Sequence, residues 1–465
     1  MSIVGVVGGG PAGSTFAARM AQLGHEVWLV ERARFPRRHL GEALTPGVLP
    51  LLEMTGAHAS IGSARFRRVR RVHVEWELGP QVREEAHERG LIVDRGEFDR
   101  LLIEHAWKLG VRLLQPATVR QRDRRGAGWH VVVDSDDGVV PLRADLLADA
   151  TGRATGRSTS RTWTGPSTLA LHAYWRAADL PAEPRIEAGA DAWYWGVPLP
   201  DGTYNTLVFT DAARAHAIRG TLAERFQELL SRSRLFAQCR KPELASPVSA
   251  INATPYMDRE CASPTLLKVG DAALALDPLS SSGVQKAIQG ALSAAIVANT
   301  LLRRADSTQA ALQFYQSSID ESSVRHHRWA AGHYGKVARQ GGGAFWQERA
   351  GGVADDPPDE PSVAPAPSFL PSAKVGLSRQ LEFIYLPCIE GDFVTVKPAL
   401  RHPTISGPIA YLGGHALAPL LRELPAGLTP MQIARSWSDR IPLDRGLAIT
   451  GWMLDRGLLV SHGAD

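Results

Sequence analysis

The fold is decided almost at the first residue, by the stretch Val4-Gly5-Val6-Val7-Gly8-Gly9-Gly10-Pro11-Ala12-Gly13. The apolar, β-branched residues 3–7 predict a buried parallel strand, which stops at a glycine cluster. The glycine positions of a G-x-G-x-x-G pattern are filled by Gly8, Gly10 and Gly13. In such a turn the first glycine permits the tight bend, the second lets the backbone approach a pyrophosphate, and the third lets the helix pack close to its strand.

The residues that follow complete a nucleotide-binding pattern. A helix is predicted over residues 12–23, with Pro11 at its first position, where a missing N–H costs nothing. The free N–H groups from Ala12 onward would face phosphates with the positive end of the helix dipole. A second strand, 27–30, ends at Glu31, where an acidic side chain can hold the hydroxyl groups of a ribose. The whole pattern predicts a dinucleotide site; the alternative is a glycine-rich turn without a ligand.

The composition is that of an ordinary globular protein. Of the 465 residues, 44% are hydrophobic and 22% charged, and the net charge of +4 indicates no particular partner. The three cysteines, Cys239, Cys261 and Cys388, form no metal or disulfide pattern and fit a reducing compartment. No apolar run approaches the ~20 residues that span a bilayer, and the N-terminal run lacks the basic start of a signal peptide. We therefore expect a cytoplasmic protein with no metal and no membrane contact.

Three further motifs decide which nucleotide is bound. A buried strand ends in Asp149-Ala150-Thr151-Gly152, and another, over 266–269, ends in Gly270-Asp271. Arg95 stands shortly before Phe98 and Asp99, where an amphipathic helix opens. Together with the opening turn, these motifs resemble the FAD-binding fold of aromatic hydroxylases, geranylgeranyl-type reductases and flavin-dependent halogenases. The resemblance covers the first three quarters of the chain.

This resemblance implies FAD as the cofactor. It implies that the Gly-Asp pair holds the ribityl chain, that Arg95 approaches the cofactor, and that the amides of Gly283 and Val284 face the flavin's pyrimidine edge. A helix N-terminus there would favour an anionic reduced flavin; alternatively, Ser-Ser-Gly before a helix is simply a good N-cap. The residues expected to bind FAD are Gly8, Gly10, Pro11, Ala12, Gly13, Glu31, Arg32, Gly41, Glu42, Arg95, Val119, Gly152, Gly270, Asp271, Gly283 and Val284.

A tryptophan motif indicates the substrate side. Ala192-Trp193-Tyr194-Trp195-Gly196-Val197-Pro198 resembles the tryptophan motif of the halogenases; the alternative is a strand with aromatic core residues. Halogenases also carry a lysine shortly after the helix that follows the Gly-Glu loop, yet none occurs between Glu42 and Trp107. Tryptophan halogenases have a glutamate where Ser280 stands. These two departures from the halogenase pattern count against halogenation and leave oxygenation of an aromatic ring as the expected reaction.

Four residues are candidates for a catalytic role. They are His172, Trp193, Trp195 and Asp277. His172 is a possible base or hydrogen-bonding group, although a lone histidine on a strand is often only structural. The identity of any catalytic base stays open.

The predicted domains make an α/β protein: a Rossmann-type FAD-binding domain, a β-rich substrate domain and a small winged-helix-like C-terminal domain. We expect the FAD-binding domain over 1–70, 92–166 and 257–352, and the substrate domain over 71–91 and 167–256. Six prolines lie within 353–371, so 353–373 is predicted to be a stiff, exposed linker. The C-terminal domain, 374–465, is expected to hold a strand at 393–396 and three helices at 409–421, 430–437 and 443–454.

The C-terminal domain is nearly neutral, with nine Lys/Arg and eight Asp/Glu. A phosphate-binding surface needs clustered basic charge, so nucleic acid is excluded as a partner. We therefore expect the winged-helix-like domain to bind a protein or a leader peptide. The alternative is a purely structural cap on the FAD-binding domain.

The layout as a whole is similar to the flavin monooxygenases that hydroxylate a protein-bound tryptophan during tryptophylquinone maturation. This resemblance implies hydroxylation through a C4a-hydroperoxyflavin, with an immature enzyme subunit as polypeptide substrate. It also implies molecular oxygen and either NAD(P)H or a separate flavin reductase as reaction partners. The alternatives are a flavin-dependent halogenase, an isoprenoid reductase and a non-catalytic flavoprotein chaperone for an immature subunit.

Overall fold

A computed structural model describes residues 1–62, 64, 66–84, 90–126, 128–154, 160–240, 243–351 and 373–461. They divide into two compact units, one of residues 1–308 and 315–351 and one of residues 309–314 and 373–461. The predicted linker, apart from its last residue, lies outside the described residues. No helix in the described ranges is long and apolar enough to cross a membrane. The same ranges hold no group of His, Cys, Asp and Glu side chains that could bind a metal ion.

Twelve α-helices occur in the described ranges. In chain order they are α1 Pro11–Gln22, α2 Val48–Thr55, α3 His58–Gly62, α4 Arg95–Lys108, α5 Ala212–Ala217, α6 Leu222–Ser231, α7 Gly283–Arg303, α8 Thr308–Arg339, α9 Ala344–Ala350, α10 Leu417–Arg422, α11 Pro430–Ser436 and α12 Leu443–Asp455.

Twenty-nine strands accompany them in the same ranges. They are β1 Ile3–Val7, β2 Glu26–Val30, β3 Ala43–Leu44, β4 Arg67–Arg68, β5 Arg71–Trp76, β6 Gly79–Glu84, β7 Leu91–Ile92, β8 Arg112–Leu114, β9 Ala117–Arg125, β10 Gly128–Ser135, β11 Gly138–Ala144, β12 Leu146–Asp149, β13 Arg161–Trp163, β14 Leu169–Arg176, β15 Arg185–Ala188, β16 Trp193–Pro198, β17 Tyr204–Thr210, β18 Glu243–Leu244, β19 Ser249–Asn252, β20 Tyr256–Asp258, β21 Ala262–Ser263, β22 Leu266–Lys268, β23 Leu274–Ala275, β24 Val375–Leu377, β25 Glu382–Glu390, β26 Phe393–Arg401, β27 Tyr411–Leu412, β28 His415–Ala416 and β29 Leu459–Ser461.

The Rossmann-type prediction is confirmed. A six-stranded sheet has the order β21-β22-β12-β1-β2-β8, and only β21 runs antiparallel to its neighbour. β1 lies between β12 and β2 and also contacts α1 and β11. An unbroken apolar run such as Ile3–Val7 is typical of a parallel strand whose two faces are both covered. β12 ends at Asp149, which pairs with Val7 at the end of β1, and β22 ends at Lys268, which pairs with Asp149. The turns that follow β1, β12 and β22 therefore lie at one edge of the sheet.

The β-rich part forms an eight-stranded sheet. Its path is β18-β14-β17-β16-β15-β5-β6, with β19 on β14. One side of this sheet is covered by α6 through a cluster that includes Trp175, Tyr194, Tyr204 and Phe226. Two helices, α5 and α6, follow β17 along the chain.

The C-terminal unit has its own core, built around Leu400, Ile433, Trp437 and Met453. Its three helices stand beside a small sheet in which β24 pairs with β29 and bridges to Leu428, a winged-helix-like arrangement. The helix predicted over 409–421 is wrong in its first half. Gly413 and Gly414 have φ of +55° and +83°, so they close the hairpin β27–β28, and only Leu417–Arg422 is helical.

Candidate active site

The glycine turn after β1 is packed to contact distance. Gly8 has φ +105°, and a Cβ there would lie 2.4 Å from the Ala150 carbonyl oxygen. A Cβ on Gly13 would lie 1.8 Å from the Gly8 carbonyl oxygen, inside any van der Waals limit. Gly10 is different. A Cβ added there would lie 3.8 Å from the Arg37 guanidinium, its nearest described neighbour. The turn is therefore closed towards the protein and open on the side where a pyrophosphate would lie.

Positive charge collects beside the open side of this turn. α1 begins at Pro11 with no acidic residue in its first turn and no side-chain cap. Its N-terminal amides carry the positive end of the helix dipole. The Arg37 guanidinium lies beside them and also pairs with the Asp99 carboxylate at 3.7 Å. Arg37 was not predicted as a site residue, because its only signal in the sequence is its place in a basic loop between β2 and Gly41. This arrangement suits the diphosphate of FAD.

Glu31 lies at the end of β2 and is buried. Its carboxylate accepts hydrogen bonds from the Gly9 amide at 2.6 Å and from the Ala33 amide at 2.8 Å. Each carboxylate oxygen has a further acceptor site, which leaves room for ribose hydroxyls. Arg32, the next predicted residue, is exposed.

The second anchor follows β22. Gly270 has φ +64°, and a Cβ there would lie 2.6 Å from the Ala12 Cβ, so this loop touches the start of α1. The Asp271 carboxylate pairs with Arg153 at 3.4 Å. Arg153 follows Gly152. A Cβ added to Gly152 would have no described atom within 4 Å apart from its chain neighbours, so there is open space beside this glycine. Arg153 is a second basic residue that sequence analysis did not single out.

The N-terminus of α7 is open to a ligand. Ser282 occupies the N-cap position but makes no capping hydrogen bond. Its hydroxyl instead lies 2.7 Å from that of Ser280. Gly283 has no described neighbour within 4 Å of a Cβ position. The simple N-cap interpretation therefore does not describe this helix, and the geometry suits the flavin edge expected at Gly283 and Val284.

Arg95 is buried at the start of α4 and acts on the Gly41 loop. Its guanidinium makes two hydrogen bonds to Asp99, at 3.1 and 3.2 Å, and donates to the Leu40 carbonyl at 2.6 Å. A Cβ on Gly41, where φ is +97°, would lie 2.7 Å from the same guanidinium. Burial raises the pKa of Asp99, opposed by Arg95 and Arg37. Arg95 thus fixes the loop that the resemblance places against the cofactor.

Glu42 is turned towards the eight-stranded sheet. Its carboxyl group accepts hydrogen bonds from the Tyr174 hydroxyl at 2.7 Å, the Asn205 amide at 2.9 Å and the Gly41 amide at 3.0 Å. Burial raises the pKa of Glu42, and these hydrogen bonds oppose that rise. Glu42 was predicted to bind the cofactor. In the structure its side chain connects the Gly41 loop to the eight-stranded sheet.

The aromatic side chains expected at the substrate lie on one face of the sheet. Strand pairing places Leu207 between His172 and Trp195, and Phe209 beside Trp193. Directly opposite residues of antiparallel neighbours share a face. We call this surface the aromatic face; it consists of His172, Tyr174, Trp193, Trp195, Leu207 and Phe209.

The aromatic face is covered at both ends. At one end Trp193 stacks on Phe209 with centroids 3.8 Å apart, under Tyr334 of α8 and Trp346 of α9. At the other end Tyr174 packs with Ile92 and Val197. Trp195 and Leu40 contact both clusters and are only partly buried. The centre of the face, where His172 and Trp195 are only partly buried, is therefore less covered than its two ends.

His172 lies at this centre. Its ring meets that of Tyr174 edge-on at 6.0 Å, and its Nδ1 is buried with no hydrogen-bond partner among the described residues. Burial lowers the pKa of His172 to about 4, so the imidazole is neutral at pH 7. A buried ring nitrogen without a partner is costly unless a ligand supplies one.

Asp277 and Val119 are the remaining predicted residues. The Asp277 carboxylate accepts hydrogen bonds from the Leu279 amide and the Tyr334 hydroxyl, both at 2.9 Å, and burial raises its pKa. It therefore holds the turn before α7 and is already engaged within the protein. Val119 lies on β9 with its side chain in the apolar cluster against the Rossmann sheet, so any contact with FAD would use its backbone.

Comparison with known families gives two matches. The tryptophan halogenase family matches residues 57–360, and an NAD(P)-binding Rossmann-like domain matches residues 6–76. The curated relatives include a tryptophan 2-halogenase from Chondromyces crocatus, 30% identical over 70% of this chain and 66% of the relative. A flavin-dependent halogenase from Armillaria mellea is 28% identical over 72% of each chain.

Two solved structures resemble the whole chain. The peptidyl tryptophan dihydroxylase QhpG, essential for tryptophylquinone cofactor biogenesis, is 29% identical with a TM-score of 0.76, covering 98% of this chain and 99% of QhpG. The flavin-dependent halogenase CmlS is 20% identical with a TM-score of 0.80, covering 100% of this chain and 96% of CmlS, and shows the fold alone.

Proposed function

Because the chain belongs to the tryptophan halogenase family, it is a flavin-dependent oxidoreductase with FAD as its cofactor, and we propose that it is a monooxygenase. The proposed reaction hydroxylates an aromatic ring, namely a tryptophan side chain within a polypeptide. Bound FAD supplies the electrons that activate molecular oxygen. The reductant is NAD(P)H or a separate flavin reductase.

One observation carries this proposal: the strands that form the aromatic face contain no lysine. The strands β14 to β17 and the loop Leu40–Glu42 contain none, and neither does any position between Glu42 and Trp107. In halogenases a lysine directs hypochlorous acid to the ring. Its absence favours direct oxygen transfer, and the similarity to QhpG over 98% of the chain agrees.

The cofactor would be held by the glycine turn and the two loops that adjoin it. Gly10 and the amides of α1, with Arg37, would take the diphosphate, and Glu31 the ribose. Asp271 would take the ribityl chain, and Gly283 and Val284 the flavin ring. Arg95 acts as a positioning residue through Leu40 and Gly41.

His172 would orient the substrate. Its partly buried, neutral imidazole can accept a hydrogen bond from the N–H of an indole or donate one to a ring oxygen, depending on its tautomer. Trp195, partly buried beside it, would stack on the substrate ring. Together they would hold the ring and exclude water from the centre of the aromatic face.

Halogenation is the second candidate. The curated relatives named above are halogenases, and Trp193 and Trp195 belong to a motif that resembles theirs. A single experiment separates the two. The reduced holoprotein is mixed with air, chloride and bromide in the presence of tryptophan-containing polypeptides, with free tryptophan as the comparison.

We expect mass spectrometry to show added oxygen on a tryptophan of the polypeptide and no halogen isotope pattern. His172→Phe should lower this yield, whereas Trp107→Phe, an exposed tryptophan of α4, should not. A chlorinated or brominated product would refute the proposal. Oxygen added to free tryptophan but to no polypeptide would restrict it to small substrates.

A further inference from the structure

Four exposed arginines lie at the Tyr174 end of the aromatic face. They are Arg38, Arg67, Arg68 and Arg70, and we call them the arginine patch. The Arg38 guanidinium lies over the ring of Tyr174, 5.4 Å from its centroid. Arg38 thus places a positive charge directly at this end of the face.

The other three arginines are brought there by Val69. This valine is partly buried and packs against the apolar cluster that includes Tyr174 and Ile92. β4 ends directly before Val69 and pairs Arg67 with Ile92, and Arg70 follows Val69 in the chain. The packing of Val69 therefore holds arginines on both sides of it near the aromatic face.

The positive charge of the patch is not compensated within the described residues. None of its four guanidinium groups has a described carboxylate within ion-pair distance. Arg67 donates a hydrogen bond to the Ala182 carbonyl at 3.1 Å, and the next residue, Glu183, pairs instead with His73 at 2.7 Å. An uncompensated positive patch attracts an anionic partner, and this attraction weakens with salt.

The patch adjoins the less covered centre of the aromatic face. The ring of Tyr174, over which Arg38 lies, meets that of His172 with centroids 6.0 Å apart. Trp195, like Val69, packs against the apolar cluster at this end. A polypeptide whose tryptophan occupied the centre, beside His172 and Trp195, would therefore bring its neighbouring side chains to the arginines.

We propose that the arginine patch binds acidic side chains that flank the tryptophan of the polypeptide substrate. The inference rests on the proposed function, because it assigns the patch to the substrate of that reaction. It adds a sequence preference, namely glutamate or aspartate close to the reacting tryptophan. Arginine suits this role because its guanidinium group matches the geometry of a carboxylate.

The experiment measures binding of three fluorescein-labelled peptides to the oxidised holoprotein by fluorescence anisotropy, so it needs no turnover. Each peptide has a central tryptophan, flanked on both sides by glutamates, by glutamines or by lysines. At low ionic strength we expect the glutamate peptide to bind about tenfold more tightly than the glutamine peptide, because several exposed ion pairs act together, and the lysine peptide to bind least tightly. In about 1 M salt, which screens charges beyond about 3 Å, the three affinities should converge.

Variants of the patch test its part in this preference. Arg67→Gln/Arg68→Gln should remove most of the preference for glutamate, and Arg68→Glu/Arg70→Glu should reverse it in favour of the lysine peptide. The control, Arg124→Gln/Arg125→Gln, removes two exposed arginines of β9, a strand outside the eight-stranded sheet, and should bind all three peptides as the natural protein does. Flavin absorbance after gel filtration checks that each variant is folded.

Equal affinity for the glutamate and glutamine peptides at low ionic strength would overturn the proposal, as would equal losses in Arg67→Gln/Arg68→Gln and in its control. If the patch instead binds a single-stranded oligonucleotide and does not discriminate among the peptides, its partner is nucleic acid and the proposal is wrong.

The two proposals fail separately. A preference for glutamate that depends on the patch, without hydroxylation of any polypeptide, would refute the monooxygenase and leave the patch as a site for acidic polypeptides. Hydroxylation that proceeds equally well with glutamate or lysine beside the tryptophan would refute the patch and leave the monooxygenase.

Discussion

At the scale of single residues, the cofactor turn is limited by van der Waals distance. In Gly13→Ala the new Cβ would lie 1.8 Å from the Gly8 carbonyl, so the backbone must shift and the turn must open. We expect the variant to lose FAD, measured as flavin absorbance after gel filtration. Gly290→Ala is the control, because this glycine of α7 has open space around it and alanine should favour the helix by about 1 kcal/mol. Full flavin content in Gly13→Ala would contradict the assignment of the turn.

His172 gives a residue-scale prediction in pH. Its folded pKa of about 4 lies below the ordinary value of 6.5, so between these values the unfolded chain binds more protons and stability falls as pH falls. His172→Asn should remove part of this loss, at most about 2 kcal/mol between pH 6.5 and 5. Urea unfolding of both proteins at pH 7 and pH 5 measures it. If the unfolding free energies of the natural protein and the variant differ by the same amount at both pH values, the folded pKa of His172 is not lowered.

At the scale of elements, Glu42 connects a loop of the Rossmann part to two strands of the eight-stranded sheet. Glu42→Ala would leave the Tyr174 hydroxyl and the Asn205 amide without their partner, at about 1–3 kcal/mol for each buried group. Because Tyr174→Phe removes one of the same bonds, the double variant should cost less than the sum of the singles. Urea unfolding of the four proteins gives this coupling, and strict additivity would mean that the bond adds nothing to stability.

Elements with a strong local pattern could be predicted from the sequence, and those that depend on pairing could not. The bounds of β1 and α1 were predicted within about one residue because their apolar periodicity is set by the chain itself. The hairpin β27–β28 was taken for helix because its apolar residues suit both, and Gly413 and Gly414 decided otherwise. Arg37 and Arg153 were not singled out because their proximity to Gly10 and Asp271 arises only from tertiary folding.

The aromatic face shows the same limit on the substrate side. Trp193 and Trp195 were predicted within one motif and His172 as a separate candidate, and the face that they share follows only from the register of β14, β16 and β17. A slip by one residue in any pair would turn the side chains to the opposite side. That register could not be predicted from the sequence, because apolar and polar residues do not alternate regularly along these strands.

At the scale of the whole molecule, the two compact units allow a test of which unit binds FAD and which recognises the polypeptide substrate. The core around Ile433 and Trp437 is made entirely of residues between 375 and 459, so the C-terminal unit has apolar packing of its own. The glycine turn, the Gly270 loop and the start of α7 all belong to the other unit. Binding of FAD should therefore not require the chain beyond residue 372.

We accordingly expect a protein that ends at residue 372 to be yellow and to reduce its flavin at the rate of the full chain. Turnover of the polypeptide substrate should fall much more, because binding energy from parts of a substrate remote from the reacting ring is used to raise the rate of the chemical step. Stopped-flow reduction and product mass spectrometry on both proteins measure the two effects. Flavin loss on truncation would make the C-terminal unit a structural cap. Undiminished hydroxylation of the polypeptide would instead remove the C-terminal unit from substrate recognition and leave the aromatic face as the whole of the specificity.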